Sequence, residues 1–322
     1  MDKNMMHYDA QDLRAIESSG RLDANESIYF ARQLEYVKSQ AYDVKRPALS
    51  AMSLFPVDTS VPAGAINVTY RQYDTVGMAK VISNYADDLP RADVTAKEFT
   101  SPIRGIGISY GYSVQEIRAS QMTGSSLDVK KMRAAQRGHE EKINQLAWSG
   151  DTASGLPGFL SNSNVPGYTV TADGTGSSKL WANKTADQIL RDLNGIVNAV
   201  YTTTKGVHKP NEVWISLARY ALISSTPRSS TSDTTILDYF LANNPFVERV
   251  VPVNELSGIG SGGSDIMIAA ENMADNYQMI VPMAFMQHAP QQTNLEFVVP
   301  CESRFGGTVI EYPLAFARAD SI

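Results

Sequence analysis

Ile66-Asn67-Val68-Thr69-Tyr70-Arg71 and, further on, Ile106-Gly107-Ile108-Ser109-Tyr110-Gly111-Tyr112 carry the most informative local pattern in the chain. In both, apolar and polar residues alternate, the period of a strand with one buried face. Between them lies Asp87-Asp88-Leu89-Pro90-Arg91, a cluster of turn formers. The spacing predicts a long two-stranded arm over residues 65–112. A two-stranded ribbon alone is marginal in water. It must rest either on its own domain, as an ordinary hairpin in a sheet, or on a neighbouring subunit.

Working outward, residues 1–60 read as an arm with one short helix. Ile28, Ala31, Leu34 and Val37 recur at spacings of three within residues 26–37, and Pro47, Pro56 and Pro62 punctuate the extended stretch after them. Downstream of the ribbon, Ser113 and Glu116 form a capping-box pattern ahead of Ile117. The helix breaks at Gly124-Ser125-Ser126 and restarts. Val129, Met132, Ala135, His139, Ile143 and Leu146 then line one helical face up to Ser149-Gly150. A polar loop or hairpin comes next. Thr185 and Gln188 make a second capping box, opening a helix with Ile189, Leu193, Ile196 and Val200 on one face. Strands are expected at 213–217 and 249–253, and short helices at 219–224 and 236–242. Four more strands are expected at 265–269, 277–285, 295–299 and 308–316. The class is α+β.

The 322 residues give room for about two domains. With 43% hydrophobic and 19% charged residues, the chain has the composition of a folded soluble protein and not of a disordered one. A net charge of -6 argues against electrostatic binding of nucleic acid by the whole chain. An acidic wall around nucleic acid would repel it weakly and so avoid sticking. Cys301 is the single cysteine, so no intrachain disulfide is available, which fits a reducing cytoplasm. The first residues hold no signal-peptide core. No run approaches the roughly 18 apolar residues of a membrane span, so no membrane partner is expected.

The search for chemistry yields one near match. Gly258-Ile259-Gly260-Ser261-Gly262-Gly263 spells the dinucleotide fingerprint, and a nucleotide-binding enzyme using this loop is the rival function from another class. The fingerprint works only where a helix comes after it, and Asp265-Ile266-Met267-Ile268-Ala269-Ala270 reads as a strand. A loop between two strands is the better reading. Gly174-Thr175-Gly176-Ser177-Ser178-Lys179 lacks the glycine that precedes lysine in a P-loop and reads as a polar turn. His7, His139, His208 and His288 are scattered, so no metal site is expected. His139 lies on the apolar face of its helix, and Cys301 reads as a small core residue. No Gly-x-Ser-x-Gly elbow occurs. The expectation is no catalytic residue, no cofactor and no enzyme.

Three further stretches resemble a known family, and the first two carry the resemblance best. Glu140-Glu141-Lys142-Ile143-Asn144-Gln145-Leu146-Ala147-Trp148-Ser149-Gly150, followed by Gly155-Leu156-Pro157-Gly158-Phe159-Leu160, looks like a spine helix running into a glycine-leucine loop. Phe305-Gly306-Gly307-Thr308-Val309-Ile310-Glu311-Tyr312-Pro313-Leu314-Ala315-Phe316 looks like a terminal P-domain strand. Arg249-Val250-Val251-Pro252-Val253-Asn254-Glu255-Leu256 resembles a strand leaving an A-domain. Together with the order of elements, these resemble tailed-phage major capsid proteins of the HK-97-type fold, a superfamily that includes encapsulin shells.

The resemblance implies an N-terminal arm over 1–60, an E-loop hairpin over 61–112 and a spine helix with P-domain over 113–205. An A-domain over 206–264 and returning strands over 265–322 complete it. It implies pentamers and hexamers of this chain closing an icosahedral shell around double-stranded DNA, without sequence-specific contact. The shell would be a virion capsid assembled in the host cytoplasm. Separate scaffolding, portal or decoration proteins are further partners it allows. In a departure from the best-known member of the family, no large fused scaffolding segment is expected ahead of the E-loop, whether cleaved, supplied separately or never needed. An encapsulin-type nanocompartment is the nearest alternative, and a tail or decoration protein a more distant one. The expected inter-subunit contacts are the ribbon faces: Ile66, Val68, Tyr70, Ile106, Ile108 and Tyr110.

Overall fold

The structure, a computed structural model, describes residues 45–81, 91–123, 127–231 and 233–322. The helix expected over 26–37, the turn at Asp87-Asp88-Leu89-Pro90 and the helix break at Gly124-Ser125-Ser126 lie outside the described residues. Packing divides the chain into Met1–Pro47 and Ala48–Ile322, and every element named here belongs to the second unit.

In chain order its elements begin with α1 (Ala51–Leu54), β1 (Val57–Asp58), β2 (Asn67–Val76), β3 (Asp93–Pro102) and β4 (Arg104–Ser113). Then come α2 (Val114–Thr123), α3 (Leu127–Ser149), β5 (Gly167–Thr169), α4 (Ala186–Thr203), β6 (Glu212–Ile215), α5 (Leu217–Ser225) and α6 (Ile236–Asn243). The rest are strands: β7 (Arg249–Pro252), β8 (Ile266–Ala270), β9 (Tyr277–Ile280), β10 (Met283–Gln287), β11 (Gln291–Thr293), β12 (Glu296–Phe305), β13 (Thr308–Ile310) and β14 (Phe316–Asp320).

The centre of the body is a five-stranded sheet in the order β5-β14-β8-β6-β7. Val213, Ile215, Met267, Ala269, Ala317 and Ala319 face one way, into a core closed by α4, α5 and α6. Trp214, Ile266, Ile268, Ala270 and Phe316 face the other way, into a core with α1 and the end of α3. Covered on both sides, β8 is buried at every position, which is why its sequence runs apolar without alternating. Both cores draw on residues from either side of position 205. The boundary expected at 205/206 therefore does not coincide with a break in packing. The expected arm also ends earlier than residue 60. Ala51, Leu54 and Phe55 are buried in the body, and β1 pairs in parallel with β9.

A second sheet joins β4 to β12 over ten residue pairs, from Glu296↔Ser113 to Phe305↔Arg104. On its other side β12 pairs with β10 and β11. Helix α3 lies across this sheet. Ala135 and Met132 pack on Ile108, Tyr110, Val299 and Cys301. Here the long helix ends as the polar signals require. Gly150 takes φ +70°, a left-handed cap suited to glycine. The glycine-leucine loop then turns back onto the last helical turn. Phe159 N–H donates to Ala147 O at 2.9 Å and Leu160 N–H to Trp148 O at 2.8 Å. Carbonyls that a helix end leaves open are thus satisfied by the loop.

Gly307, at φ +81°, touches the same loop: a Cβ there would overlap the Pro157 carbonyl. Thr308 N–H donates to Pro157 O at 2.9 Å. The two stretches that carry the family resemblance are therefore neighbours in space.

Three strand expectations need correction. The strand expected over 277–285 is two, β9 and β10, parted at Val281-Pro282, where the proline offers no amide to continue a ladder. The strand expected over 308–316 is β13, a 3-10 turn at Pro313–Ala315 and the start of β14. Most consequentially, β2 pairs with β3, from Asn67↔Pro102 to Val76↔Asp93, and not with the 106–112 strand. The apolar side of that strand needs cover, and α3 supplies it within the body. Among the described residues nothing covers either face of β3 along most of its length, so its sequence shows no apolar alternation to detect.

Candidate assembly interface

The ribbon formed by β2 and β3 has a seated root and an open outer half. At the root, Ile103 N–H donates to Ile66 O at 2.7 Å, and the buried Ser101 hydroxyl donates to Gly306 O at 2.9 Å. The rings of Tyr70 and Phe99 stack at 5.1 Å, and the Tyr70 hydroxyl reaches Ile310 O at 3.4 Å. A cavity lies between this root and the body, walled on the body side by Pro157, Asn162 and Thr308.

Beyond the root, the register sets one face as Thr69/Thr100, Arg71/Glu98, Tyr73/Ala96 and Thr75/Val94. The Thr69 and Thr100 hydroxyls meet at 2.9 Å, and Arg71 pairs with Glu98 at 2.8 Å. Both contacts are in solvent, where an ion pair contributes about 0–1 kcal/mol. Tyr73 is 64% exposed, Met78 85% and Val81 98%. Val76 and Val94 are exposed as well. Apolar side chains are thus exposed on both faces of the ribbon and just past the end of β2.

The six expected contact residues do not form one surface. Ile66 is exposed, and Val68 and Tyr70 are half-buried at the root. Ile106, Ile108 and Tyr110 belong to β4 and pack within the body. Their alternation reports an internal core, which corrects their reading as ribbon contacts. The exposed apolar residues of the ribbon that periodicity did not single out are Tyr73, Val76, Met78, Val81 and Val94. The available signal was pairwise: Thr69 with Thr100 and Arg71 with Glu98 are matched cross-strand partners.

Beneath the root lies Glu311. Its Oε2 is buried and accepts no hydrogen bond from the described residues. Burial, with Asp58 and Asp275 nearby, pushes its carboxyl up to about 7. On α3, facing the second sheet, His139 is buried with Nε2 at 2.6 Å from the Ser303 hydroxyl and its ring against Phe285. Burial holds its imidazole below the usual histidine range. Cys301 is buried in the same cluster, and burial pushes its thiol up, as suits a packing residue. The 258–263 loop leads into β8, with no α-helix to meet a pyrophosphate.

A family model described as Major capsid protein matches residues 77–322. Among solved structures, the chain is similar to the capsid of Myoviridae phage XM1. The TM-score is 0.79 at 17% identity, over 92% of this chain and 99% of that one. It is also similar to the capsid of an empty GTA particle, with TM-score 0.61 at 12% identity over 89% of this chain and 94% of that one. A chain from Mycobacterium phage Ogopogo matches with TM-score 0.59 at 12% identity, over 91% of this chain and 99% of that one. No curated protein sequence matches the chain. The likeness to these capsids shows the fold, an α+β architecture of the HK-97 type. The chain belongs to the major capsid protein family. It is a structural protein of the virion capsid that assembles with copies of itself, and not an enzyme.

Proposed function

We propose that this chain is the subunit of an icosahedral shell, built as pentamers and hexamers in the host cytoplasm and filled with double-stranded DNA. The observation that carries the reading is the outer half of the ribbon. Its apolar side chains extend into solvent while its root is held on the body. Draped over an adjacent copy, those side chains leave water at roughly 25 cal/mol per Å², and closed symmetry repeats the gain at every contact. A net charge of -6 favours DNA held by confinement over sequence-specific contact. In this reading β2 and β3 are the E-loop, α3 is the spine helix, and the second sheet with α3 is the P-domain. The five-stranded sheet with α4, α5 and α6 is the A-domain at the capsomer axis. Separate portal, scaffolding or decoration proteins are further partners that this reading allows.

The test is the double variant Tyr73→Asp/Val94→Asp. Both side chains are exposed and share one ribbon face, so the subunit should fold with an unchanged melting temperature. Negative-stain images should show no closed particles. Normal particles from this variant would remove the ribbon from the assembly mechanism.

A further inference from the structure

Glu311 comes directly after β13, at the point where the ribbon root meets the body. The groups around it come from several elements. Asp58 of β1 and Asp275, just before β9, raise the electrostatic cost of its charge. Tyr70 and Gln72 of β2, together with Gln278 and Tyr312, line a second cavity with Glu311. Arg71 also lines it, and its guanidinium is bound to Glu98 across the ribbon. β13 contributes only Thr308, Val309 and Ile310, none of which titrates. One oxygen of Glu311 is buried with no donor among the described residues. A neutral carboxylic acid tolerates such a place far better than a carboxylate does.

We infer that the ribbon root is a proton-governed joint, seated while Glu311 is protonated and loosened when that proton leaves. Deprotonation sets a third negative charge beside Asp58 and Asp275, in the cavity that Tyr70 also lines, and the Tyr70 hydroxyl reaches the adjoining Ile310 carbonyl. Opening the root lets water reach the charge.

The direction comes from linkage. The seated state holds the Glu311 proton up to about pH 7, whereas an exposed glutamate releases it near its ordinary value of 4.5. Seating is therefore strongest below pH 4.5, weakens as pH rises and has lost this contribution above about pH 7.

The joint is a property of one chain, so its test uses the unassembled full-length subunit and does not depend on the shell reading. Amide hydrogen exchange would be followed at residues 67–72 and 99–103 between pH 5.5 and 8, corrected for the intrinsic pH dependence of exchange, with β8 as internal reference. In the unmodified chain, protection at the root should fall roughly tenfold across this range while β8 stays constant. Glu311→Gln keeps the shape without the charge and should hold protection level. The same fall in Glu311→Gln as in the unmodified chain overturns the joint. Should that variant fail to fold, Asp275→Asn removes one repelling charge and should move the midpoint to lower pH. An unmoved midpoint overturns the inference equally.

Discussion

Phe159 shows how much one side chain can carry when several elements converge on it. It belongs to a loop, yet its ring lies 5.9 Å from Trp148, 5.3 Å from Trp214, 5.8 Å from Tyr277, 5.2 Å from Phe316 and 5.5 Å from Phe55. These partners come from α3, β6, β9, β14 and the residue after α1. Truncation leaves a cavity that large rings cannot close by small shifts. Phe159→Ala should destabilise the subunit by about 3–5 kcal/mol, read from urea denaturation. A loss below about 1 kcal/mol would show that the cluster closes over the gap. Periodicity finds His139, because a helical face records burial, and it lies in the core as its spacing implied. Periodicity cannot find Phe159, because a loop has no repeating face. Nor does it find Glu311, whose setting is made by residues distant in the chain.

Elements bounded by local signals are the most legible. Both capping boxes form. Ser113 N–H donates to Glu116 Oε2 at 3.0 Å while Glu116 N–H donates to the Ser113 hydroxyl at 3.1 Å, and Thr185 N–H donates to Gln188 Oε1 at 2.8 Å. Each cap needs only residues three apart, so the sequence contains everything that makes it. Thr185→Ala should lower stability by about 1 kcal/mol in thermal or urea unfolding, because α4 packs across the five-stranded sheet and must stay in register. No change would mean that packing alone holds the end of α4. Strand partnership is a different kind of information. The 106–112 strand was legible as a strand, but its partner β12 is nearly two hundred residues away. Alternation says that one face is covered and leaves open by what.

At the scale of the whole molecule, the five-stranded sheet lies between two cores and joins them. The strands β5, β6, β7, β8 and β14 are drawn from the 113–205, 206–264 and 265–322 segments. Unfolding either core would strip one face from the same strands. Residues 48–322 should therefore melt as one cooperative unit. Trp181 lies in the helix-covered core, and Trp148 and Trp214 in the aromatic one. Retaining Trp181 in one variant and Trp148 with Trp214 in another should give the same unfolding shape by fluorescence as by circular dichroism. Separate transitions would show that the cores come apart. The ribbon is the exception to this economy: its outer half adds surface without adding core.

The amino-acid sequence alone determined where the capped helices α2 and α4 begin, that the 106–112 strand has a covered face, and the family resemblance, since each depends on residues close together in the chain. Which strand pairs with which, that the two cores share one sheet, and that the exposed ribbon is β2 with β3 were decided only in three dimensions. Burial is supplied by whatever packs against a residue, and those partners are far away in sequence.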